Sequence, residues 1–221
     1  MKKSIFYENN YRKLESKIKD FLNNYDFVLN EAMADTRAVG GLIEKVLKDN
    51  FELILKDFCK RYDTSFSRRA MADFAFLDKN DFFVIVDSKT HREDTKFNMP
   101  NLTSVDRLSR FYEEDTNVFS ILMVKYTIKN NKLKIKKIHF IPIEFLDWGC
   151  LTIGALGFGQ IQIKNSNKIK INYSYSRKVW MLEFFEVLLN FYPKEIIKIN
   201  SRIQLFEERK ETWKNKKDIW K

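Results

Sequence analysis

Two aspartates and a lysine are spaced to act together. Asp73 lies in ADFAF, and after thirteen intervening residues Asp87-Ser88-Lys89 follows the apolar run Phe82 to Val86. An apolar run that ends in charge predicts a buried strand with a polar tip. Alternate residues of a strand share a face, so Asp87 and Lys89 point one way and Ser88 the other. Between the two motifs, Asp78-Lys79-Asn80-Asp81 predicts a hairpin turn that brings Asp73 beside Asp87. Two carboxylates that close repel each other unless a cation lies between them. A donor set made of oxygens favours Mg²⁺ or Mn²⁺. Such an ion lowers the pKa of a water and stabilises charge on a phosphoryl oxygen, and a lysine can orient that water. The three groups together suit hydrolysis of a phosphodiester.

The pattern Asp/Glu-x-Lys occurs four times, beginning at Glu15, Asp87, Asp94 and Glu208. The copies at 15 and 208 fall in helical patterns, where i and i+2 do not face each other. Asp94 sits in polar sequence. Only the copy at 87 ends an apolar strand with an acid one hairpin upstream. The competing reading is a solvent-exposed salt bridge at a strand end, worth about 0–1 kcal/mol.

Forty Lys and Arg against thirty Asp and Glu give a net charge of +10, which points to an anionic partner, most often nucleic acid. A lysine-rich coding bias would give the same balance without one. With two histidines, His91 and His139, chemistry built on paired histidines is not expected. Cys59 and Cys150 make neither a disulfide framework nor a zinc cluster. No apolar run approaches the roughly 18 residues of a membrane span, and the N-terminus lacks a signal-peptide core. The expectation is a soluble, cytoplasmic protein. No Gly-Lys-Ser/Thr follows either glycine cluster, and GxGxxG is absent, so no nucleotide cofactor is expected.

The elements that must position these groups follow from periodicity. Three-to-four spacing predicts helices over 1–29 and about Val39–Tyr62. Strands are expected at Asp73–Leu77 and Phe82–Lys89, and a second hairpin at Val118–Ile128 and Lys132–Pro142 around Lys129-Asn130-Asn131. Residues 97–104 read as a loop broken by Pro100, before a short helix at Val105–Glu113. A glycine-bearing loop follows, then a strand at Lys168–Tyr175, a helix at Val179–Phe191 and a charged helical tail. The fold class is α/β (α+β), a mixed central β-sheet flanked by helices. With no repeat or linker, 1–221 reads as one domain, with a helical N-terminal part over 1–35 and a basic helical tail over 195–221.

Asp73, thirteen residues, then Asp87-Ser88-Lys89 resembles the split motif of the PD-(D/E)xK nuclease superfamily, with Ala72 in place of its proline. DTRAVGGLIEKVL is similar to the N-terminal helix of type II restriction endonucleases of the blunt-cutting, central-phosphate branch. LTIGALGFGQIQI and the later basic, Trp-bearing segment are similar to their recognition loop and C-terminal part. The resemblance implies a restriction-endonuclease-like fold in which Asp73 and Asp87 bind Mg²⁺, with Mn²⁺ able to substitute. It implies that Lys89 assists the attacking water and that Glu44 is an auxiliary acid. It also implies a homodimer on a palindromic site in double-stranded DNA, and a cognate DNA methyltransferase in the same system. The apolar stripe of the first helix is a candidate dimer surface, or else core.

Base edges are read by Asn and Gln on adenine and by Arg and Lys on guanine. Gln160, Gln162, Lys164 and Asn165, beside Gly157 and Gly159, form one candidate reader. Lys96, Asn98, Asn101, Ser104 and Arg107 form a second, directly after the catalytic strand, although Ser104 also suits a helix N-cap. Arg68 and Arg69 are candidates for backbone phosphates. Two rival functions stay open: a structure-specific nuclease such as a junction resolvase or repair enzyme, and a DNA-binding module without catalysis.

Overall fold

The computed structural model describes residues 3–8, 11–27, 35–63, 72–130 and 132–219. The chain divides into two compact units, Met1–Tyr175 and Ser176–Lys221. The first unit is mixed α+β. Its helices are α1 (Tyr11–Asn24), α2 (Thr36–Leu55) and α3 (Val105–Phe111). Its strands are β1 (Cys59–Asp63), β2 (Phe74–Asp78), β3 (Phe83–Arg92), β4 (Asn101–Ser104), β5 (Asn117–Lys129), β6 (Lys132–Pro142), β7 (Leu151–Gly154) and β8 (Gln160–Ile163). Five of them form a sheet in the order β1-β2-β3-β5-β6, and β4-β8-β7 form a small second sheet. β3 and β5 pair in parallel while the other neighbours are antiparallel, so the main sheet is mixed.

The β2–β3 turn is held by one carboxylate. Asp78 is fully buried; its Oδ1 accepts from the backbone N–H of Asn80 (2.8 Å) and Phe82 (3.0 Å), and its Oδ2 from that of Ile5 (3.0 Å). Asp81 takes the left-handed conformation at φ 72°. With the turn fixed, Phe74 pairs with Val86. A slip of one residue would turn every β3 side chain to the opposite face.

α1 lies on β6 and buries Tyr11, Leu14, Ile18 and Leu22. That apolar stripe is therefore core, not a surface left for a partner. α2 packs on β3, and its Phe51 sits among Phe74, Phe76 and Phe140, with ring centroids 4.5, 6.2 and 5.6 Å away.

Several boundaries differ from those the sequence predicts. The first helix spans Tyr11–Asn24 rather than 1–29; residues 5–8 form a turn, and 28–29 fall outside the described residues. The second ends at Leu55, because Lys56 turns to φ 44°, and Cys59–Asp63 becomes strand β1. Residues 101–104, expected as loop, pair as β4 with β8. Lys168–Tyr175 makes only a single bridge, Leu146 with Ile171.

The second unit is one long helix, α4 (Arg177–Lys214), opened by the Ser176 hydroxyl accepting from Val179 N at 3.2 Å. It runs through Pro193, so the expected helix at Val179–Phe191 and most of the expected tail are continuous. No helix among the described residues is long and apolar enough to cross a membrane.

Candidate active site

The β2–β3 register ends with Phe74 opposite Val86, and Asp73 and Asp87 each lie one residue beyond that pair. Asp73 N donates to Val86 O at 2.9 Å, and Asp73 Oδ2 accepts from Ser88 N at 2.6 Å. The Asp73 carboxylate thus stands where β2's next carbonyl would be and is fixed one residue from Asp87. On β3, Lys89 Nζ donates to Asp87 Oδ1 at 2.7 Å, so these two side chains share a face as the strand period requires.

This is not a solvent-exposed salt bridge. Asp87 is 5% exposed, and its Oδ2 is buried without a hydrogen-bond partner. Burial pushes the Asp87 pKa up to about 7; Lys89 pulls it down, and the negative charges of Asp73 and Glu44 push it further up. A buried carboxylate oxygen without a donor is costly and calls for a cation or a proton.

Glu44 belongs to the same electrostatic cluster. Its pKa is raised first by burial and then by Asp73, and is lowered by Lys89 and Lys48. The reason lies one helical turn earlier. At Gly40 a Cβ would stand 2.7 Å from Thr90 Oγ1, so glycine lets α2 lie this close to β3 with the Thr90 hydroxyl where it is. Residues 40 and 44 share a helix face, and that approach carries Glu44 toward the strand end.

A cleft of about 700 Å³ opens over the two aspartates. Its lining includes Asp73, Asp87, Thr103, Ser104, Arg107 and Arg110, together with Leu156, Gly157, Phe158 and Gln160 of the β7–β8 hairpin. Gly157 (φ 59°) and Gly159 (φ 117°) give that hairpin its tip conformation. Gly159 O accepts from Val105 N at 3.1 Å, which fastens the tip to the start of α3.

Of the expected DNA contacts, Ser104, Arg107, Gly157 and Gln160 therefore line the cleft, and Gly159 supports it. Gln162 and Asn101 are joined to each other at 2.6 Å across β8 and β4. Lys164 Nζ donates to Gly149 O, and Asn165 Oδ1 accepts from Asn167 N. Asn98 O accepts from Ser166 N, and Lys96 O from the Asn167 side chain at 3.4 Å, so both help fix a loop. Ser104 precedes α3 but makes no side-chain cap bond. Arg68 and Arg69 lie outside the described residues.

Arg110, ion-paired with Asp106, and the exposed Leu156 and Phe158 were not singled out from sequence. The glycine on either side of Phe158 was the available signal, since it marks an exposed tip. Among the described residues, no three His, Cys, Asp or Glu groups meet as a metal cage. Mg²⁺ commonly takes one or two carboxylates and completes its shell with waters and substrate phosphate. Asp73 and Asp87 offer that donor set.

No family model matches the chain, and no curated protein matches it in sequence. Among solved structures, the NlaIV restriction endonuclease is similar over 75% of this chain and 70% of its own, with 14% identity and a TM-score of 0.45.

Proposed function

We propose that this chain is a Mg²⁺-dependent type II restriction endonuclease that hydrolyses phosphodiester bonds of double-stranded DNA at a short specific sequence. The observation that carries the reading is the Asp87 carboxylate. One oxygen is paired with Lys89, the other is buried without a donor, and Asp73 is fixed to the neighbouring Ser88 N–H in a cleft walled by arginines.

Asp73 and Asp87 would hold the ion, with Mn²⁺ able to replace Mg²⁺. When bound, it supplies charge stabilisation at the phosphate and acidifies a water. The remaining chemistry belongs to the chain. Lys89 uses one of its three N–H donors on Asp87, leaving two to orient the attacking water and offset charge on the phosphate. Glu44, with its raised pKa, is suited to take up a proton. As the water oxygen bonds to phosphorus, the bond to the leaving sugar oxygen breaks. Arg107 and Arg110 suit backbone phosphates, Gln160 an adenine edge, and Leu156 and Phe158 the apolar surface of bases, including thymine methyls. A palindromic site, a two-fold dimer and a protective DNA methyltransferase complete the reading.

Supercoiled plasmid incubated with the protein and Mg²⁺ tests it. Discrete fragments are expected, abolished by EDTA and reduced about 100-fold or more by Lys89→Ala. No cleavage in Mg²⁺, or equal cleavage by the variant, contradicts the reading.

A further inference from the structure

The helix α4 carries a second apolar face with a strict seven-residue repeat. Labelled as a heptad, its a positions are Leu182, Leu189, Ile196, Ile203 and Lys210. Its d positions are Phe185, Tyr192, Ile199, Phe206 and Trp213. The nine apolar members are all exposed, from 38% at Tyr192 to 69% at Trp213. The helix buries other positions instead: Trp180 and Phe184, stacked at 5.8 Å, and Glu195.

A straight α-helix drifts by about 20° per heptad from a seven-residue repeat. A stripe meant for a fixed globular core therefore need not keep 3.5-residue spacing over residues 182 to 213. A supercoiled partner helix does require it, because each a or d side chain must enter a hole between four residues of its neighbour. Such holes are present: a groove of about 400 Å³ is lined by Ile199, Arg202, Ile203, Phe206, Glu207 and Lys210. Those are a, d, e and g positions and no others.

We propose that α4 pairs with α4 of a second copy of this chain as a parallel, two-stranded coiled coil. The seam is self-complementary, a against a and d against d. Arg202 at g and Glu207 at e are five residues apart, the offset at which parallel helices join g to the next e. Arg209 at g and Lys214 at the next e are like charges, but Arg209 lies over the Phe206 ring and Lys214 is already paired within its helix to Glu211, as Glu195 at g is to Lys198. Lys210, the single polar a residue, favours two strands, since its ammonium reaches water there but not inside a larger bundle. Pro193 falls at e, beside the seam. The proposed function already expects a two-fold dimer; the inference names its seam, and a dimer that survives the double variant below overturns the seam while leaving that reading standing.

The full chain is examined by sedimentation across a concentration series. The wild type is expected at twice the chain mass. Ile199→Glu/Ile203→Glu changes two exposed residues, so the circular dichroism of the folded chain is retained while dimer affinity falls about 100-fold. On mild oxidation, Phe206→Cys gives a reducible cross-linked dimer above the wild-type background, and Ser201→Cys, at the outward f position, does not. A wild type at single-chain mass throughout overturns the proposal. So does unchanged affinity in the double variant, or cross-linking through residue 201 as readily as through 206.

Discussion

At the scale of single residues, Asp87 carries the electrostatic tension of the site. Its folded pKa of about 7 lies above the ordinary 3.8. The folded state therefore binds more protons than the unfolded one between about pH 4 and 7, and stability declines as pH rises through that window. On the proposed reading a divalent cation would replace the proton and reverse the loss, because metal ligands must be deprotonated. Without metal at pH 8, Asp87→Asn is expected to melt at a higher temperature than wild type, since it removes the buried charge. Mg²⁺ should raise the melting temperature of wild type and leave the variant unmoved. Calorimetry in both conditions checks this; a variant that melts lower, or keeps the Mg²⁺ shift, contradicts the assigned role.

At the scale of elements, the site depends on two local devices, the Asp78 turn and the Gly40 approach. Gly40→Ala gains about 1 kcal/mol of helix propensity but drives a methyl against Thr90. We expect the helix to yield, taking Glu44 with it. Cleavage is expected to fall about tenfold or more with little change in melting temperature. Gly40→Ala/Thr90→Ala should recover most of the rate by reopening the gap. A single variant with full activity, or a double variant no better than the single, shows that the approach does not position Glu44.

Both hairpins of the main sheet were legible in the sequence because apolar runs flank polar turns. The Asp73–Asp87 juxtaposition followed from counting across the first of them. β1 was not legible: Leu55, Phe58 and Tyr62 continue the helical spacing, and the helix ends at a lysine rather than a glycine. β4 is four residues long, and its pairing with β8 arises from a contact about sixty residues away in sequence. Lys168–Tyr175 alternates like a strand, yet bridges a neighbour only at Ile171. The helix expected at Val179–Phe191 stops short of Pro193, but α4 continues past it. Asn101 and Gln162, read as separate base contacts, satisfy each other.

At the scale of the whole molecule, a net charge of +10 makes affinity for any duplex electrostatic in part. Each phosphate contact contributes about one to the slope of log affinity against log salt. Arg107 is exposed at the cleft, so Arg107→Ala should lower that slope by about one on duplexes of any sequence. Filter binding over a salt series reads it, and an unchanged slope removes Arg107 from the phosphate path. We propose that Asp73, Asp87 and Lys89 together cut DNA, and digestion of a DNA of known sequence with run-off sequencing of the ends tests this most directly. Cleavage in Mg²⁺ at one recurring short sequence, lost in Asp73→Asn and Asp87→Asn, is the predicted result. Intact DNA with the wild type, or the same ends produced by either variant, would contradict it.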